Sequence, residues 1–124
     1  NIYLNHKKKV KKVNTNEILV NTTYADNLDV ITTPHYKYLL GNIEQYNEYI
    51  IKKLGTIITF DNLSGAYDKL IKNFKYGKLI QEEPNYIICS YDDKTKKYTV
   101  LDGVHRLSIL VFNKVNPIKI YVLS

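Results

Sequence analysis

A chain of 124 residues, 44% hydrophobic and 24% charged, lies in the ordinary globular range and can bury roughly two-thirds of its unfolded surface around one core. No apolar run approaches the ~20 residues of a membrane span, there is no signal-peptide pattern, and a single cysteine excludes an internal disulfide; one cytoplasmic domain over residues 1–124 is expected. The net charge of +6 invites a nucleic-acid partner, but Lys7, Lys8, Lys9, Lys11 and Lys12 carry five of those charges, so the rest of the chain is close to neutral. Such a run is a solvated strand edge or terminus that discourages edge pairing, and it offers at most weak, salt-sensitive contact with nucleic acid or an anionic membrane. The twelve tyrosines are scattered along the sequence rather than interleaved with these lysines. The chain opens on Asn1 and contains no methionine, which suggests a piece of something longer.

Residues 13–20 are expected to form a first strand, entering a loop rich in Asn, Thr and Asp. Thr33 as cap, Pro34 at the first helical position and Gly41 as the stop predict a short helix. Asn42 with Gln45 resembles a capping box and starts a second helix through Tyr46, Tyr49, Ile50 and Leu54 to Gly55. Residues 56–60 are strand-like. A third helix is expected over residues 64–76, with Tyr67, Leu70, Ile71 and Phe74 on one face and Gly77 ending it. Strands at 86–91 and 98–101 make a hairpin, and 117–124 a final strand. Cys89 lies in the apolar run of the hairpin, as a small core residue. These pieces alternate without a strict βαβ rhythm and predict an α/β (α+β) fold, a small mixed β-sheet with helices packed beside it.

Of eighteen basic side chains only one is arginine, Arg106, within Asp102-Gly103-Val104-His105-Arg106. A strand precedes this pentapeptide, and Leu107, Leu110 and Val111 follow at helical spacing. The segment is therefore a strand-to-helix turn. Gly103 allows a sharp bend and close approach, and the first N–H groups of the helix, at the positive end of its dipole, form an anion site. Asp102 can cap the helix, act as a base or hold magnesium. A guanidinium at Arg106 can grip phosphate or carboxylate in two places, as an ammonium cannot.

A strand, the Asp-Gly-x-His-Arg turn, an apolar helix and a last strand resemble the ParB/sulfiredoxin superfamily over about residues 86–124. Sulfiredoxins carry a reactive cysteine immediately before the His-Arg pair, where Val104 stands here; chromosome-partition ParB proteins carry a second arginine, absent here. The resemblance is closest to the free serine kinase branch and to relatives labelled nuclease-like. It implies a nucleotide-binding phosphotransferase acting on a hydroxyl of an amino acid or sugar-related alcohol, using ATP or ADP with Mg2+. Asp102, His105 and Glu17 are then the candidate catalytic residues, and Gly103, Val104, His105, Arg106 and His35 the candidate nucleotide-binding ones. Alternatives are a non-catalytic nucleotide-sensing module, a ParB-like DNA-binding protein or a nuclease. Asp26 and Asp29 are rival acids to Glu17; Glu82 and Glu83 are a solvated pair, and His6 adds nothing specific to the lysine run. No zinc-spaced Cys/His cluster, Walker loop or nucleophile elbow is present.

Overall fold

The computed structural model describes residues 3, 5–54, 65–75 and 81–123. The chain forms a mixed α+β fold. Five strands, β1 (Lys8–Val13), β2 (Ile18–Leu19), β3 (Ile87–Asp92), β4 (Lys97–Asp102) and β5 (Ile118–Leu123), lie in one sheet in the order β1-β5-β3-β4-β2. The β1–β5 and β3–β4 pairs are antiparallel, whereas β5–β3 and β4–β2 are parallel. Four α-helices accompany the sheet among the described residues: α1 (Pro34–Leu39), α2 (Ile43–Leu54), α3 (Gly65–Lys75) and α4 (Val104–Phe112).

The expected first strand, residues 13–20, is split. The lysine run itself forms β1, at the sheet edge, and Asn14 with Glu17 closes a capping box around a 3₁₀ turn, Thr15–Glu17, before the chain re-enters the sheet as β2. The lysines suit an edge because both faces of β1 are largely in water, and only Val13 is buried. This short link has a geometric consequence. In a flat five-stranded sheet the two edge strands stand roughly 19 Å apart, four gaps of about 4.8 Å. Residues 14–17, three of them in the 3₁₀ turn, span only about 13 Å between Val13 and Ile18. The sheet must therefore curl. Accordingly Lys11 on β1 reaches across the concave side, its Nζ 5.8 Å from the ring centre of Tyr91 on β3 and 5.9 Å from that of Tyr98 on β4.

The helix starts follow their sequence signals. Thr33 caps α1, its hydroxyl accepting from Tyr36 N–H at 3.3 Å while donating to Val30 carbonyl at 2.6 Å; Pro34 takes the first helical position. Gly41, at φ 101°, turns the chain out of α1, and Asn42 Oδ1 accepts from Gln45 N–H to open α2. Because Thr33 is fully buried, Thr33→Val removes two hydrogen bonds at almost constant volume; a loss of about 1–2 kcal/mol in urea unfolding is expected. The loop after β2 is braced by the Val20–Leu28 bridge and by a second 3₁₀ turn, Val30–Thr32, capped by Asp29. The hairpin and last strand form near their expected bounds. The expected strand 56–60 and the ends of the second and third helices at Gly55, 64 and 76–77 lie outside the described residues.

The core fills the concave side of the sheet. Ile87, Cys89, Ile118 and Ile120 from the strands meet Leu107, Ile109 and Leu110 from α4, all essentially without solvent exposure. Each such side chain contributes about 2 kcal/mol on burial, so three of them hold α4, and the turn that leads into it, firmly on the sheet. Cys89 is a core residue as expected, and burial pushes its thiol up to about 12. No described helix is long and apolar enough to cross a membrane.

Candidate functional site

The β4–α4 connection is the strand-to-helix turn that the sequence predicts. Asp102 is the last residue of β4, Gly103 stands at the helix cap with φ 122°, and Val104 begins α4. Asp102 does not cap the helix: the cap position is Gly103, which has no side chain to accept from the first N–H groups. The Asp102 carboxylate pairs instead with Arg106, Oδ2 to Nη2 at 3.3 Å, one helical turn along.

Arg106 folds back across the turn. Its Nη1 donates to the Asn85 carbonyl at 2.8 Å and, at 3.4 Å, to that of Tyr86, tying the start of α4 to the entry of β3. The guanidinium lies against Gly103, where an added Cβ would stand 2.9 Å from Nη2 and 3.1 Å from Ile87 Cγ1. Glycine is thus required twice, by the backbone angle and by the contact. The arginine is a brace as well as a cation. Its three polar contacts engage at most three of the five guanidinium N–H groups, so capacity for an anion remains.

Beside the turn lies a cleft of about 370 Å³. Asp102, Gly103, His105 and Arg106 form one wall, Tyr46 and Tyr67 the other. Its volume is at the small end for ligand sites, enough for a phosphate group and a small acceptor. His105 Nε2 is hydrogen-bonded to Tyr46 Oη at 2.9 Å, and its ring meets that of Tyr67 edge-on at 4.6 Å. Burial, with further contributions from the Lys53 and Arg106 charges, pushes the His105 imidazole down to about 4. At neutral pH it is uncharged. Burial raises Tyr46 to about 12 and raises Tyr67 as well, so both phenols keep their protons.

His35 does not line this cleft. It is 2% exposed and packs edge-on behind His105, ring centres 4.6 Å apart. Burial and the neighbouring His105 push it down to about 3. Among the described residues its Nδ1 has no hydrogen-bond partner, while its backbone carbonyl accepts from Tyr67 Oη at 2.7 Å. Its place is therefore behind the site, supporting His105, rather than within reach of a phosphate.

Glu17 is also not brought to the turn. It lies just before Ile18, which pairs with Tyr98 near the start of β4, whereas Asp102 ends that strand; about 13–16 Å of strand separates the two levels. There its carboxylate accepts from Asn14 N–H. Asp26, Glu82 and Glu83 are exposed, as is His6, whose ring lies 5.6 Å from that of Tyr3. The five turn residues are together by virtue of the local chain. What sequence reasoning missed is the opposite wall: Tyr46 and Tyr67 were legible only as apolar-face residues of two helices, and no local signal marks a core tyrosine as a cleft wall. Comparison of the chain with family models, with curated proteins and with solved structures gives no match.

Proposed function

We propose that this protein binds a nucleotide at the β4–α4 turn and transfers a phosphoryl group to a hydroxyl of a small acceptor, with a turn of the ParB/sulfiredoxin type. The observation that carries the reading is a glycine-capped helix start opening into a cleft beside a carboxylate, with Arg106 in its wall and the Lys53 charge felt at His105. An anion there meets the positive end of α4 and the spare guanidinium donors. Val104 and His105 supply N–H groups of the first turn, and the neutral His105 ring supplies a hydrogen bond rather than a second charge.

Asp102 is the candidate base. The acceptor oxygen forms its bond to phosphorus as the bridging oxygen–phosphorus bond of the nucleotide breaks, the acceptor proton passes to the Asp102 carboxylate, and the shortened nucleotide leaves. Alignment and charge stabilisation supply most of the rate in such a reaction. Asp102 would hold magnesium together with the nucleotide phosphates that carry it in, and the ion would offset the charge of those phosphates; the described residues gather no group of three or more metal-binding side chains.

Thermal unfolding with ATP, ADP, CTP, GTP and pyrophosphate, each with and without magnesium, tests the binding half. At a hundred times its dissociation constant an adenine nucleotide should stabilise the native state by about 2.7 kcal/mol, and Arg106→Ala should abolish that gain. Asp102→Asn should leave binding in place and lower phosphoryl transfer by about a hundredfold or more. Transfer that survives both substitutions would remove the turn from the reaction. A second reading, a nucleotide-sensing module without turnover, is favoured by the distance of Glu17 and by the bracing role of Arg106. Saturable binding with no transfer to amino acids or sugar alcohols would select it.

A further inference from the structure

We infer that the edge strand β1, with the tyrosine rings beside it, is a sequence-independent binding surface for single-stranded nucleic acid. The sequence separates lysines and tyrosines; the curled sheet brings them together. Alternate residues of β1 face opposite sides of the sheet. Lys11, with Lys9, shares the face of Tyr91 and Tyr98 and brings its Nζ within 5.9 Å of both ring centres. Lys8 and Lys12 share the face of Tyr121, Lys8 Nζ lying 5.7 Å from that ring while donating to the Tyr3 and His6 carbonyls. Tyr91 remains 43% exposed, so an unpaired base has a face on which to stack beside the charges that hold its phosphates.

The charge arrangement also asks for an anion. Lys12 stands directly opposite Lys119 in the β1–β5 register, a like-charge pair that a sheet ordinarily avoids. Among the described residues Lys9, Lys12 and Lys119 have no carboxylate within 4 Å. The pair lies on the face away from Tyr91, and a phosphate chain running along the free edge between the two faces relieves its repulsion. Lysines at an edge also keep other strands away, but that role needs neither the ring contacts nor the opposed pair. A duplex hides its base faces and gains nothing from Tyr91, and β1 offers a membrane only one exposed apolar residue, Val10.

The test uses the full chain and a fluorescein-labelled twelve-nucleotide oligothymidylate, followed by anisotropy. With about five phosphates neutralised, the logarithm of the affinity should fall with the logarithm of salt at a slope near −3.5, a loss of about a hundredfold between 50 and 200 mM. Lys9→Gln with Lys12→Gln should make the slope shallower by about 1.4. Tyr91→Ala should weaken binding about tenfold at fixed salt and leave the slope unchanged. Thermal unfolding of each variant separates lost contacts from lost fold, and the wild-type salt series needs no variant. No binding at 50 mM salt, equal or tighter binding of a twelve-base-pair duplex, binding to phosphatidylserine vesicles alone, or an unaffected Tyr91→Ala would each overturn the inference. The surface is separate from the phosphate site, so Arg106→Ala should bind the oligonucleotide as the wild type does.

Discussion

Taking the protein from pH 7 to pH 5 should lower its unfolding free energy by about 3 kcal/mol, because two imidazoles, one buried and one half-buried, refuse protons that the unfolded chain accepts. In the folded state His35 is held near 3 and His105 near 4, against an ordinary 6.5. Both values are depressed, so the stability linked to these rings is fully present above pH 6.5. It declines as the pH falls below 6.5, and the decline ends as the folded rings themselves protonate, near 4 and then near 3. With two protons the slope reaches about 2.7 kcal/mol per pH unit, a ceiling near 4 kcal/mol at pH 5, which the partial exposure of His105 at the cleft reduces. Urea unfolding followed by tyrosine fluorescence at pH 7, 6 and 5 measures this directly. His35→Gln should roughly halve the slope. A midpoint that does not move over this range would mean that the two rings take up protons in the folded protein as readily as in water.

Gly103→Val should be the most damaging single substitution at the turn. A β-branched residue cannot adopt φ 122° without strain, and its Cβ would arrive 2.9 Å from the Arg106 guanidinium and 3.1 Å from Ile87. Neither neighbour can move freely, since Arg106 is tied to Asn85 and Tyr86 and Ile87 is fully buried. A cost of about 4 kcal/mol follows, a fall of roughly 10–20 °C in Tm for a domain of this size. Gly103→Ala should cost about half as much. Gly41 provides the comparison: its φ of 101° carries similar backbone strain, but nothing lies within 4 Å of an added Cβ. If Gly103→Ala and Gly41→Ala prove equally mild, the packing of Arg106 over the turn contributes nothing to its rigidity. If Gly103→Ala is distinctly worse and also loses the nucleotide-dependent stabilisation, the brace and the proposed phosphate site are one structure.

Local chemistry determined much of this protein by sequence alone. Thr33 and Pro34 start a helix, Asn42 and Gln45 start the next, and Asp102 to Arg106 form a strand-to-helix turn, because caps, fixed proline angles and left-handed glycine act over four or five residues. The same range of action explains the failure at residues 13–20, where one strand was expected and the Asn14–Glu17 capping box divides two. Only the tertiary structure decided what these pieces meet. It curled the sheet through a link too short to cross a flat one, set Lys11 over Tyr91 and Tyr98, put Glu17 at the far level of β4 from Asp102, and buried His35 behind His105. Strand order and helix packing join residues far apart in the chain, and their side-chain contacts have no periodicity or spacing along it. The identity of the turn was therefore written locally, whereas the use of Arg106 as a brace and the tyrosine wall opposite it depended on the whole fold.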